Sequence, residues 1–105
     1  MPHPILDHAH LDAMTGGDTE FRDELLATFL ASTSESWPTL IAPETAPEVR
    51  KKTAHRIKGA ASNVGAVALA ALCKAVEDNP DAGHSEKLEH AYSDLQRELG
   101  SLLTL

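Results

Sequence analysis

A histidine, a lysine, a glycine and a serine are spaced so that successive turns of a helix would bring them to one face. They are His55, Lys58, Gly59 and Ser62, in the segment HRIKGAASNVG that begins at the histidine. At about 100° per residue, Lys58 lies about 60° from His55 around the helix axis, Gly59 about 40° and Ser62 about 20°. Neutral imidazole, with an unperturbed pKa of about 6.5, is a nucleophile near neutral pH, and neighbouring ammonium or hydroxyl groups can hold phosphate oxygens. The spacing therefore predicts a helix face on which His55 accepts a phosphoryl group.

Gly59 opposes the helix in which the pattern places it. A glycine inside a helix costs about 1 kcal/mol relative to alanine. On the helical wheel this glycine points away from the apolar side, so close packing against another helix of the same chain does not account for it. We interpret Gly59 as room for the surface of a partner protein beside His55.

Basic residues are concentrated around His55 in a chain whose formal net charge is −7. Five of the nine Lys and Arg residues fall within nine positions: Arg50, Lys51, Lys52, Arg56 and Lys58. Like charges on adjacent helical turns repel by a few tenths of a kcal/mol per pair, and a partner bearing carboxylates or phosphate would relieve this repulsion. Lys51, Lys52 and Arg56 are therefore candidates for partner binding, and Lys58 and Ser62 for holding phosphate.

The rest of the chain lacks the motifs of a kinase. It contains no glycine-rich phosphate loop of the Gly-x-x-x-x-Gly-Lys type and no acidic pair arranged for Mg²⁺. We expect phosphate to come from another protein, with no ATP-dependent kinase activity in this chain. His3, His8 and His10 do not predict a metal site, because two-residue spacing on a helix points side chains apart.

Length and composition indicate one all-helical domain over residues 1–105, with a core of about 6–103. The chain is 42% hydrophobic and only 4% aromatic, which fits a core of Leu, Ala and Val. The acidic balance disfavours nucleic-acid binding. A single cysteine, Cys73, predicts a reducing compartment, and the sequence shows neither a membrane-spanning run nor a signal peptide. We expect a cytoplasmic monomer.

Two helices are predicted before the histidine segment. Asp7 can cap a short helix that stops at Gly16-Gly17, and Asp18 can cap a longer amphipathic one. Trp37-Pro38 should end or kink the second helix, because proline lacks an amide proton and clashes with the preceding turn.

The histidine helix is predicted over about 46–64. Thr45 and Glu48 have the spacing of a capping box at its start, and Gly65 is placed to end it. Its predicted buried stripe comprises Ala46, Thr53, Ile57, Ala60 and Val64.

Two further helices are predicted, over about 66–78 and 85–103. Leu25, Phe29, Leu72 and Leu95 are expected in the core, with Trp37 at a bundle end. Four long helices with short connections predict an antiparallel four-helix bundle with a short N-terminal covering helix.

Residues 54–77, AHRIKGAASNVGAVALAALCKAVE, closely resemble the signature of histidine-containing phosphotransfer (HPt) domains of two-component phosphorelays. The family pattern is a histidine, two residues, Lys-Gly and a second glycine ten positions after the histidine. Here these are His55, Lys58, Gly59 and Gly65. The resemblance extends to the two upstream helices and spans about residues 6–103.

The resemblance implies a site and a set of partners. His55 would be phosphorylated on Nε2 by the aspartyl phosphate of a hybrid sensor kinase receiver, and would then donate to a response regulator receiver. Lys58 would stabilise the phosphate, Gly59 would give the receiver room, and Ser62 and Asn63 would border the site. The chain would need no cofactor of its own, because the receiver holds Mg²⁺.

Two alternatives stay open at this level. The chain could be a helical adaptor that binds an acidic partner through the basic patch of residues 50–58 and never carries phosphate. It could also be the phosphate-accepting domain of a chemotaxis-type kinase, phosphorylated directly by an ATP-bound catalytic domain.

Overall fold

The computed structural model of the chain describes residues 3–81 and 83–103. Within these ranges the chain forms helices and no strand. The helices are α1 His8–Thr15, α2 Thr19–Ile41, α3 Pro47–Val64, α4 Val67–Asp78 and α5 Ser85–Leu102. Helices α2 to α5 form an antiparallel four-helix bundle and α1 covers one end, so the predicted architecture is confirmed.

The short covering helix begins and ends as the sequence predicts. The Asp7 carboxylate accepts a hydrogen bond from the amide of His10, and Gly16 ends the helix in the left-handed conformation. The amide of Asp7 also donates to the carbonyl of Gly65 at 2.8 Å, which ties the start of α1 to the turn between α3 and α4.

Of the two outcomes predicted at Trp37-Pro38, an end or a kink of α2, the structure excludes the end. The helix continues to Ile41, and the amide of Ala42 donates to the Pro38 carbonyl at 3.0 Å. Pro38 has no amide hydrogen, so it costs α2 one helical hydrogen bond. The surrounding turns are held by packing, since Leu40 is buried and Trp37 stacks on Tyr92 with ring centroids 4.2 Å apart.

The predicted capping box at the start of α3 does not form. The N-cap is Ala46, no side chain caps the helix, and Pro47 occupies the first turn. Thr45 therefore lies one residue too early to cap, because the fixed φ of Pro47 starts the helix there.

The core lies between the four long helices and includes most of the predicted residues. Phe29, Trp37, Ile57, Leu69, Cys73 and Leu95 are buried, whereas Leu25 and Leu72 are only half-buried at its edge. In α3 the buried face comprises Thr53, Ala54, Ile57, Ala61 and Val64. The buried stripe is therefore displaced from the predicted one, since Ala46 is exposed and Ala60 half-buried. None of the helices in the described part of the chain combines the length and the hydropathy that a bilayer span requires.

Candidate functional site

A tight turn at Gly65 places α4 alongside α3. Gly65 has a φ of 83°, and the amide of Ala66 donates to the carbonyl of Ala61 at 2.8 Å. A Cβ on Gly65 would lie 2.9 Å from the carbonyl oxygen of Asp7, so both conformation and space favour glycine here. The turn therefore fixes how residues of α4 meet the histidine face of α3.

This hairpin brings Glu77 of α4 to His55 and Lys58. His55 lies about 15 Å before Gly65 along its helix and Glu77 about 18 Å after it, at about 1.5 Å per residue, so the two reach similar heights. Glu77 Oε2 lies 3.0 Å from His55 Nδ1, and Glu77 Oε1 lies 2.6 Å from Lys58 Nζ. One carboxylate thus joins the two side chains that the sequence selects as nucleophile and phosphate holder.

Glu77 is a candidate site residue that the sequence did not predict, because the predicted neighbours of His55 all lie on α3 and Glu77 lies on α4. A signal was available, since the spacings of His55 and Glu77 about Gly65 are nearly equal in a helical hairpin. Composition and motifs gave no reason to weigh that spacing, and glutamates on solvated helix faces are common.

The side chains of His55, Glu77 and Lys58 differ in how much of their surface is exposed to solvent. The His55 side chain is 72% exposed, whereas those of Glu77 and Lys58 are 15% and 29% exposed. The pKa of Glu77 is lowered, first by the hydrogen bond from Lys58; burial opposes this, and His55 adds to the lowering. Glu77 is therefore ionised near neutral pH, and an ionised carboxylate only accepts hydrogen bonds.

The protonation of the histidine ring follows from that acceptor. Because Glu77 can only accept, Nδ1 of His55 carries the hydrogen, and in the neutral ring Nε2 keeps its lone pair. The nitrogen with the lone pair belongs to a ring that is mostly exposed. The arrangement can therefore present a nucleophile to another molecule.

Gly59 is exposed beside this group, as predicted. A Cβ built on it would meet nothing within 4 Å. No neighbour inside the described part of the chain therefore requires glycine at this position, which is consistent with room reserved for a partner.

The predicted basic patch divides into engaged and free residues. The Arg50 guanidinium turns inward and donates to the carbonyls of Leu40, Ala42 and Pro80 at 3.3, 2.6 and 2.8 Å, joining two ends of helices. Arg56 Nη2 donates to Ser36 Oγ on α2 at 2.9 Å. The local concentration of positive charge on the surface is thus smaller than the sequence suggested, because Arg50 serves the fold.

Lys51 and Lys52 lie on the same side of α3 as His55. Both are exposed, and they line a groove of about 490 Å³ together with Glu48, His55 and Glu77. Ser62 is also exposed, two turns after His55. Lys51, Lys52 and Ser62 can therefore be reached by a partner that approaches the histidine.

The cysteine and the N-terminal histidines that the sequence singled out contact other parts of the fold. Cys73 is buried, and burial raises the pKa of its thiol to about 12, with a smaller contribution from the charge of Glu77. His8 pairs with Glu98, and His10 Nε2 lies 3.0 Å from the carbonyl oxygen of Asn63. Across the described part of the chain, no group of three or more His, Cys, Asp or Glu residues is arranged to hold a metal ion.

Comparison with known protein families finds a match that covers most of the chain. A family model described as "Hpt domain" matches residues 24–104, which include α3, α4 and every side chain of the group around His55. Comparisons with curated proteins and with solved structures returned no significant match.

Proposed function

This chain belongs to the Hpt domain family, whose members take part in phosphotransfer in two-component phosphorelays, and we propose that it performs this transfer through phosphohistidine at His55. Specifically, it would relay a phosphoryl group between the receiver aspartate of a hybrid sensor kinase and the receiver of a response regulator. The observation that carries the proposal is the contact of 3.0 Å between Nδ1 of His55 and Glu77, which leaves Nε2 as the nitrogen with a lone pair on an exposed ring.

The proposed transfer conserves atoms and electrons. The Nε2 lone pair attacks the phosphorus of the receiver aspartyl phosphate, and the Nε2–P bond forms as the P–O bond to the aspartate breaks. The aspartate leaves as a carboxylate with the bonding electron pair. In the second transfer an aspartate oxygen of the response regulator attacks the same phosphorus, and Nε2 recovers its lone pair.

Positioning and charge would supply most of the rate in such a reaction. An ammonium has three N–H donors, so Lys58 can contact Glu77 and still offer donors to a phosphoryl group on His55. Gly59 would let the receiver backbone approach the ring, with Ser62 at the edge of the contact. Lys51, Lys52 and Arg56 would face the acidic groups around the receiver aspartate, where Mg²⁺ would also be held.

The adaptor alternative is less well supported than the relay. It rests on a basic patch in which the Arg50 guanidinium is committed to backbone carbonyls. An adaptor also gives no reason for a carboxylate to orient the exposed imidazole. Lys51 and Lys52 remain available to a partner in either case.

The relay is tested by mixing the purified chain with receiver domains that carry radiolabelled aspartyl phosphate. We expect rapid appearance of label on the chain, stable in alkali and lost in acid, and its passage to a second receiver added later. Retention of the label by every receiver would contradict the relay, and binding to a receiver without transfer would support the adaptor instead. Extending the assay to every receiver domain of the source organism would identify the cognate pair.

A further inference from the structure

The contact between Glu77 and Nδ1 of His55 bears on the phosphorylated state as well as on the free one. A neutral imidazole has one hydrogen and one lone pair on its two nitrogens. Once Nε2 bonds to phosphorus, the ring keeps the Nδ1 hydrogen only as a cation. If that hydrogen leaves, Nδ1 has a lone pair, which would point at the Glu77 carboxylate 3.0 Å away.

Two negative or electron-rich groups facing each other at this distance are unfavourable. An ionised carboxylate has no hydrogen to donate, so it cannot satisfy a bare Nδ1. It does form a charge-assisted hydrogen bond with a protonated Nδ1. Glu77 therefore distinguishes the two protonation states of a phosphorylated ring.

We propose that Glu77 holds the proton on Nδ1 throughout the relay cycle, so that phosphorylated His55 stays in its protonated form and discharges rapidly. The inference rests on the proposed function, because it requires phosphate on Nε2. Protonation favours discharge because the departing ring then leaves as neutral imidazole instead of as an anion. No proton has to enter or leave the site during either transfer.

Of the other charged groups near the ring, three lysines act in the opposite sense, and Glu48 acts in the same sense but makes no hydrogen bond to the ring. From α3, Lys51, Lys52 and Lys58 disfavour a cationic ring, while Glu48 lies in the same groove as the first two. From α4, Cys73 stays a neutral thiol, and Asp78 is exposed and paired with Lys74 at 3.4 Å. Arg56 contacts Ser36 of α2. Among the described residues, Glu77 is the carboxylate within hydrogen-bond distance of the ring, so we assign to it the retention of the proton on Nδ1.

The chemistry predicts a specific effect of Glu77→Gln. A carboxamide has the same shape and can accept from a protonated Nδ1, but it can also turn and donate its N–H to a bare Nδ1. The variant should therefore keep the ring in place while allowing the phosphorylated ring to lose its proton. Asp78→Asn is the matched control, because it removes one negative charge one residue away in the same helix.

The experiment phosphorylates the chain chemically with phosphoramidate and follows the loss of phosphohistidine between pH 5 and pH 9. We expect the Glu77→Gln phosphohistidine to last at least about tenfold longer near pH 8 than that of the wild type or of Asp78→Asn. The rise in discharge rate on acidification should also occur about one pH unit lower in Glu77→Gln. Superimposable profiles for wild type and Glu77→Gln would overturn the inference.

A second measurement reads the proton directly. In protein labelled with ¹⁵N in the histidine rings, Nδ1 of phosphorylated His55 should be protonated at pH 8 in the wild type and unprotonated in Glu77→Gln. An unprotonated wild-type nitrogen would contradict the inference even if the variant were too unstable to assay. Failure of the wild type to form phosphohistidine at all would instead count against the proposed function.

Discussion

Two histidine–glutamate pairs on this protein have nearly the same length and very different surroundings. His8 Nε2 lies 2.8 Å from Glu98, and His55 Nδ1 lies 3.0 Å from Glu77. Glu98 is 31% exposed, whereas Glu77 is 15% exposed and also contacts Lys58. The first pair links α1 to α5 by the outer ring nitrogen, and the second holds its ring by the inner nitrogen.

The comparison shows that a close carboxylate does not by itself make a histidine a reaction site. The glutamate beside His8 occupies the nitrogen that could otherwise reach another molecule. The glutamate beside His55 occupies the nitrogen nearer the backbone and leaves the outer one available, next to a lysine and a bare glycine. The pairs should therefore respond differently to the same substitution.

The largest difference is expected between His55→Gln and His8→Gln. The first removes the proposed nucleophile and should reduce phosphate uptake from a phosphorylated receiver to the background of the assay. The second removes an exposed pair worth at most about 1 kcal/mol and should leave uptake unchanged. Both variants should retain the helical circular dichroism of the wild type. Undiminished uptake by His55→Gln would end the claimed distinction between the pairs.

Lys58→Ala tests whether the lysine sets the two sites apart. Charge-assisted hydrogen bonds to the phosphoryl group are worth about 1.5–3 kcal/mol, so the transfer rate should fall by about tenfold to a hundredfold. Lys74→Ala is the control, because its ammonium lies on α4 in an exposed pair with Asp78. The transfer rates of the two variants are measured by quenching reactions with one phosphorylated receiver at successive times. Equal rates for Lys58→Ala and Lys74→Ala would contradict a role of Lys58 in holding the phosphoryl group.

Gly59→Leu tests the space beside His55. A side chain there should weaken receiver binding by about tenfold, while the free energy of unfolding stays level or rises by up to about 1 kcal/mol. Gly100→Leu is the control, since Gly100 is also an exposed helical glycine, and a Cβ added to it would meet nothing within 4 Å. Calorimetric titration and urea unfolding separate the two effects. Equal receiver affinity for both variants would show that the space is not used.

The smallest effect concerns the pH dependence of stability. The pKa of Glu77 lies below its ordinary value of 4.5 in the folded chain, so the ionised carboxylate stabilises the fold above that pH. This contribution is lost as the pH falls through the lowered pKa. The free energy of unfolding should thus differ between wild type and Glu77→Gln by up to about 1 kcal/mol near pH 6, and the difference should vanish in stronger acid. A difference that grows with acidification would contradict the assigned direction.

The sequence predicted most of the fold because its signals are local. Asp7 and Asp18 cap their helices, Gly16 and Gly65 adopt the left-handed conformation, and the five helices begin and end close to the expected residues. One departure from the expected helices has a tertiary cause and the other a local one. Packing around Trp37 carries α2 past Pro38, and the position of Pro47 removes Thr45 from the cap.

The candidate site was predicted only in part, because some of its residues are brought together by the packing of helices. His55, Lys58 and Gly59 share one helix, so their spacing was enough to place them together. Glu77 comes from another helix and Arg50 turns toward carbonyls of distant segments, and both facts depend on how helices pack. Reading the glycine turn at residue 65 as a hairpin would have connected Glu77 to the histidine.

The central claim is that Nε2 of His55 carries the phosphoryl group, and the most direct measurement is the ³¹P–¹⁵N coupling in ring-labelled protein phosphorylated by a receiver. We predict coupling from phosphorus to a single ring nitrogen, Nε2 of His55, and no coupling in His55→Gln. Coupling to Nδ1 of His55, or to any other of the six histidines, would contradict the account.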